Sequence, residues 1–210
     1  MPFVFKRLAL LMSIAAVAGA NKADAADKDR PKFEMAPAAS YLSHQMSEKV
    51  TIGASVYDTP EKAKEAFGKL NPYQYGVVPL LVVIQNGSGQ TIRVDRIQVD
   101  YVAPDGGHVD ATPAQDIRYL NPARQPKVVT GPIPTAGPRL SRHKNPLDAW
   151  EIEGRAFSAK MIPAGESAGG FFYFQTGHRP GARVYVTGLA EASSGRELLY
   201  FEFPLKDEPK

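Results

Sequence analysis

The 210-residue chain contains no cysteine. That absence excludes thiol nucleophiles, thiolate ligation of zinc or iron–sulfur clusters, and every disulfide, whatever the compartment. Histidine is scarce: His44, His108, His143 and His178 are scattered, with no His-x-x-x-His pair, so a metal site is not expected and would have to be assembled by the fold. Tryptophan occurs once, at Trp150. No cofactor motif is found, and none is expected. Net charge is also small, with 25 Lys and Arg against 22 Asp and Glu for a formal +3.

Most of that small positive excess sits at the start of the chain. Lys6 and Arg7 precede Leu8 to Ala20, thirteen residues without a charge. This is the basic and apolar pair of regions of a secretory signal peptide, and it is shorter than the about 20 apolar residues that span a bilayer. Small-x-small sites follow at Ala18-Gly19-Ala20 and Ala23-Asp24-Ala25, and cleavage is expected after Ala25. Residues 1–25 carry Lys6, Arg7, Lys22 and Asp24, a net +2, which leaves +1 on the remainder. A broad basic surface for nucleic acid is therefore not expected. After signal cleavage, no integral membrane span is expected either.

Residues 26–48 are polar and alanine-rich, with Pro31 and Pro37 and no sustained hydrophobic period, and read as a flexible N-terminal arm. Residues 49–206 read as one mainly β domain and residues 207–210 as a tail. Val50, Ile52, Ala54 and Val56 alternate with smaller or polar neighbours, the pattern of a half-buried strand. Val77 to Ile84 is apolar on both faces, and Pro79 delays pairing to Leu80. Asn86 to Gln90 is a turn. In Thr91 to Val102 the apolar parity changes, with Ile92 and Val94 on one phase and Ile97, Val99 and Tyr101 on the other; a bulge or bend at Asp95-Arg96 is expected.

Two helices are expected. Thr59-Pro60-Glu61 provides an N-cap, an N1 proline and an early acid ahead of Ala63, Ala66, Phe67 and Leu70. Asn145-Pro146 is a second N-cap and N1 pair for Leu147, Trp150, Gly154 and Phe157, with Gly154 opposing the helix, and a strand reading of Phe157, Ala159 and Met161 competes near its end. Between them residues 121–146 hold six prolines, and a long surface loop is expected. Strand patterns return at Gly170 to Gln175, Ala182 to Leu189 and Glu197 to Leu205.

The strand ending in Asn86 (LLVVIQN), its small-residue turn, and the Pro163-Ala164-Gly165-Glu166-Ser167 turn before an aromatic strand resemble immunoglobulin-like β-sandwich modules of exported bacterial proteins. The resemblance covers about residues 76–205. It implies an antiparallel immunoglobulin-like β-sandwich with one or two short helices, and a role in holding, displaying or binding. The antibody-type marks, two cysteines around a core tryptophan, are absent.

Gly165 to Gly170 spells GESAGG, which is similar to the nucleophile motif of α/β-hydrolase carboxylesterases. That likeness implies Ser167 as nucleophile and the Ala168 N–H as oxyanion donor. The neighbours oppose it: a nucleophile elbow joins a buried strand to a helix, whereas here Ile162-Pro163 precedes and Phe171-Phe172-Tyr173-Phe174 follows. His178 is the only later histidine, and no acid lies between it and Ser167.

The remaining candidates concern binding. Arg139, Arg142, His143 and Lys144 form a basic cluster suited to an acidic partner. Tyr73 and Tyr75 offer rings that stack on sugars or anchor an interface. Asp105 and Asp110 flank a Gly-rich turn, a composition that calcium favours although EF-hand spacing is missing. Glu151 and Glu153, two apart on a helix, face different ways. The sequence thus reads as an exported, non-enzymatic binding or structural module of the periplasm or cell exterior, with an envelope protein or polysaccharide as partner. One alternative is a carbohydrate-binding module using Tyr73, Tyr75 and Trp150 on one face; another is a serine esterase using Ser167.

Overall fold

The computed structural model describes residues 33–117, 146–147 and 149–207. The segment expected to be a signal peptide and most of the proline-rich stretch lie outside them. Among the described residues the chain forms β1 (Ser43–Ser47), β2 (Val50–Val56), α1 (Pro60–Phe67), β3 (Val78–Asn86), β4 (Ile92–Arg93), β5 (Gln98–Val102) and β6 (His108–Asp110). It continues through α2 (Trp150–Gly154), β7 (Met161–Ile162), β8 (Ser167–Phe174), β9 (Arg183–Thr187), β10 (Ala190–Glu191) and β11 (Phe201–Pro204). The fold is mainly β.

The strands form three antiparallel sheets, ordered β1-β2-β3-β8, β11-β9-β5-β6 and β10-β4-β7. Period-2 alternation decides what each face buries. Val50, Ile52, Ala54 and Val56 of β2 and Val78, Leu80, Val82 and Ile84 of β3 share one buried cluster with Val99 and Tyr101 of β5, Val184 and Val186 of β9, and Phe201 and Phe203 of β11. The two four-stranded sheets therefore face each other across a common core. Leu81 and Val83 point the other way, into a second cluster with Ala66 and Phe67 of α1, Ile152 of α2, Phe171 and Tyr173. This is why β3 is apolar on both faces. Rings of Phe33, Tyr57, Phe67 and Phe171 meet there at centroid distances of 4.8–5.9 Å.

The parity change after Thr91 marks a change of sheet. The chain turns at Asp95-Arg96 between β4 and β5, so that Ile92 and Val94 on one phase and Val99 and Tyr101 on the other all reach the common core. Pro79 delays pairing on one side only: the β2–β3 register starts at Leu80 opposite Val56, as expected, whereas the β3–β8 register already starts at Val78 opposite Phe174. The Pro79 carbonyl accepts from Tyr57 N–H at 2.9 Å, on the edge where β2 has ended. The missing Pro79 N–H thus points where no ladder bond is required.

Four other expectations are corrected. Residues 33–47 are not a free arm: Ala38 is fully buried and Ser43–Ser47 pairs with β2. The seat is Gly53, where an added Cβ would collide with the Ala38 carbonyl and lie 2.8 Å from the Tyr41 ring. The second helix begins at Trp150 after an Ala149 cap and ends at Gly154, leaving Phe157 outside it. The β8 edge captures the chain instead, with Phe171 N–H donating to Arg155 O (2.8 Å) and Phe157 N–H to Phe171 O (3.1 Å). In the first helix Thr59 Oγ1 accepts from Lys62 N–H as the sequence implies, but Gly68 stops the helix before Leu70. The last strand is shorter than its pattern: Phe201, Phe203 and Leu205 are buried, whereas Leu199 is exposed.

Candidate binding face

Tyr73 and Tyr75 lie on a 3-10 turn (Pro72–Tyr75) whose Asn71 side chain accepts from Tyr73 N–H at 3.1 Å. Both rings are half-buried. Tyr73 packs against the core between the sheets and Tyr75 against the outer cluster, so the two do not share a face. Trp150 is 43% exposed on α2, beside the Arg155 guanidinium. These three rings therefore form no common platform. Arg139, Arg142, His143 and Lys144 lie outside the described residues.

Ser167 opens strand β8 opposite Gln85 rather than standing on a strand-to-helix turn. Asn86 explains the residues before it. This asparagine is fully buried, and its amide nitrogen lies 2.6–3.1 Å from the carbonyls of Gln90, Ile162 and Pro163. Its Oδ1 accepts from Ser88 N–H and Oγ, while its backbone bonds Gly165 N–H (2.7 Å) and Glu166 O (2.9 Å). One side chain thus clasps the Asn86–Gln90 turn to the Pro163–Ser167 turn. The last two of the three glycines in the esterase-like motif have packing reasons. A Cβ on Gly169 would lie 2.6 Å from Met35 Sδ, and one on Gly170 would lie 2.5 Å from Phe157 Cα.

His178 is engaged elsewhere. Its Nδ1 lies 3.2 Å from Tyr101 Oη and its Nε2 2.8 Å from Asp207 Oδ1, with its side chain only 3% exposed. Tyr101 Oη also accepts from Arg179 N–H at 2.9 Å, and Nε2–H donates to the Asp207 carboxylate. Burial holds the Tyr101 hydroxyl above the ordinary phenol pKa. The arrangement ties the chain end to the loop before β9. Among the described residues no three His, Asp or Glu side chains converge as metal ligands. Asp105 accepts from Gly107 N–H and from Arg179 Nη1 (3.1 Å), both of which lower its pKa, and it does not meet Asp110.

The two long sides of the paired sheets differ. Along one, β1 seals β11 through side chains: Glu48 Oε1, Gln45 Oε1 and Ser43 Oγ accept from the N–H groups of Leu199, Glu202 and Lys206 at 2.7–3.1 Å. Along the other, β6 leaves β5 after Asp110, and Thr112 N–H donates instead to Tyr173 O of β8. The crossing leaves a cleft of about 450 Å³ lined by Val99, Asp100, Asp110, Phe157 and Phe172, among others. That volume lies in the range of small-molecule pockets, about 300–1,000 Å³. The Phe157 and Phe172 rings stack at 5.3 Å on its wall.

Asp100 and Asp110 also belong to the solvent face of the second sheet. The register sets Asp110, Asp100, Tyr185 and Glu202 side by side across β6, β5, β9 and β11. In the adjoining row stand His108, Val102, Arg183 and Pro204. Tyr200 packs its ring 5.4 Å from Tyr185, which in turn meets His108 at 6.1 Å. Tyr200 is 55% exposed and Tyr185 half-buried. The result is a strip of rings crossing the outer face, ending beside the two aspartates at the cleft. None of these ring residues was singled out for binding in the sequence. A signal was available in the alternation that sends Val184 and Val186 inward and hence Tyr185 outward.

No protein-family model matches the chain, and no curated protein sequence does. Among the described residues no helix is long and apolar enough to cross a membrane.

Proposed function

We propose that the mature chain is an exported, non-enzymatic binding module of the cell envelope, immunoglobulin-like in its sandwich, and that its ligand is a polysaccharide. Export is supported by the Lys6-Arg7 start, the apolar run and the Ala25 site. The observation that carries the ligand class is the exposed strip of Tyr200, Tyr185 and His108 on the second sheet. Aromatic rings left in water on a β face offer apolar area to the C–H faces of pyranoses, and their polar tips supply hydrogen bonds. Neither tyrosine hydroxyl has a protein partner among the described residues. Carboxylates on both sides of the strip, Asp100, Asp110 and Glu202, accept from sugar hydroxyls.

The test is NMR titration of the secreted chain with soluble envelope-type oligosaccharides. Shifts concentrated on Tyr185, Tyr200 and the outer face of β5 and β9 are expected. Undisturbed signals at millimolar sugar would overturn the reading. An extended protein segment is the second reading, favoured by the edge of β5 at Val99 that β6 leaves open; its mark in the same titration is perturbation of Val99 and Phe172 by peptides rather than sugars.

A further inference from the structure

The strip of rings is accompanied by an imbalance of charge. Glu202 is paired with Arg183 Nε at 3.1 Å, and Asp100 lies 3.5 Å from His108 Nδ1. Asp110 is exposed, stands directly opposite Asp100 on the neighbouring strand, and has no hydrogen-bond or ion-pair partner among the described residues. Like charges at directly opposed positions destabilise a sheet. Among the described residues no Lys or Arg pairs with either aspartate, and Arg183 is held by Glu202. The pair sits where the ring strip meets the cleft, so a ligand lying on Tyr200, Tyr185 and His108 brings its next unit against both carboxylates.

Resting on the polysaccharide reading above, we propose that the face selects glycan strands carrying free amino groups. Pyranose faces stack along the tyrosines, and a protonated sugar amine sits between Asp100 and Asp110, cancelling their repulsion. An anionic glycan is disfavoured by the same carboxylates. An N-acetylated strand stacks equally well but brings a neutral amide where the site offers two acceptors.

The experiment compares the glucosamine tetrasaccharide, its N-acetylated counterpart and cellotetraose, all β-1,4-linked, by calorimetry at low salt and at pH 6, where the sugar amines are protonated. Tetralysine serves as the purely cationic control. The amine tetrasaccharide is expected to bind about tenfold tighter than the two neutral ones, the equivalent of two carboxylates each contributing within the range of exposed ion pairs. Asp110→Asn together with Asp100→Asn brings it to the neutral level. Tyr200→Ala weakens all three sugars, and Tyr185→Phe, which keeps the ring, weakens them less. Equal affinity for the three sugars overturns amine selection and leaves the polysaccharide reading standing. Failure of all three to bind at millimolar concentration overturns that reading itself. Tetralysine binding as tightly as the amine sugar, and indifferent to Tyr200→Ala, overturns the assignment to a glycan.

Discussion

At the scale of single residues, two side chains with no catalytic chemistry carry much of the specification. Asn86 is buried in the common core's end with every polar atom used. Replacing it with Ala removes the acceptor of Ser88 N–H and the shared donor that ties the carbonyls of Gln90, Ile162 and Pro163 together. The expected cost of Asn86→Ala is about 3 kcal/mol, read as a lowered urea midpoint with an unchanged slope. Gly170→Ala places a methyl against the Phe157 backbone, which side-chain rotation cannot relieve, and is expected to cost about 3 kcal/mol. Ser167→Ala, three residues away and exposed, should stay within about 0.5 kcal/mol of the parent and leave any ester hydrolysis by the preparation unchanged. The same six letters that suggest a nucleophile elbow thus divide into a dispensable serine and indispensable glycines. Their meaning was partly legible, since a glycine inside a strand pattern signals close approach of other backbone. Which backbone approaches depends on Phe157 and Met35, which the sequence does not link to it.

At the scale of elements, the β1–β2 hairpin was the least legible part. Its two-residue turn is Glu48-Lys49, both at positive φ (49° and 62°), where Asn-Gly would have announced a turn. β1 itself has no apolar alternation, because its inward side chains are Ser43 and Gln45, spent on the backbone of β11 more than 150 residues away. Lys49→Gly should stabilise by about 1 kcal/mol, since only glycine adopts that backbone without steric cost, and a rise in the melting temperature measures it. The hairpin is also held electrostatically. Arg196 reaches Glu48 Oε2 at 2.7 Å and Glu191 Oε1 at 2.6 Å. Glu48 is depressed first by the Leu199 N–H and then by Arg196, and Glu191 first by Arg196. Carboxyls with lowered folded pKa values stabilise the fold above the unfolded value, about 4.3, and lose that contribution as pH falls through the folded value. Arg196→Ala should therefore melt below the parent at pH 7, with the gap closing as the pH drops beneath the ordinary glutamate range. A gap that stays constant down to pH 2 would assign the loss to packing instead.

At the scale of the whole molecule, the absence of disulfides leaves burial to hold the chain together, and the burial is centred on β3. Strands β2 and β8 flank it, the second sheet covers one face, and α1, α2 and residues 33–41 cover the other. That centrality was legible in VVPLLVVI, as was the mainly antiparallel β class, because fully apolar runs and period-2 alternation are local properties of the sequence. The proposed binding face was not legible, since Tyr200, Tyr185 and His108 come from three segments that only sheet order brings together. The layering sets an order of hydrogen exchange. Amides of Leu80 to Ile84 lie between two strands under two covers, so they should exchange only through global unfolding, with a free energy equal to that from denaturant. Amides of β6, paired on one side only and facing water, should exchange by local opening at a free energy several kcal/mol lower. Deleting residues 26–41 uncovers Leu81 and Val83 while leaving both flanking ladders intact. If the N-terminal segment is a structural layer of the domain, the β3 amides lose protection together with the global stability. If it were an arm, β3 protection would be untouched by the deletion.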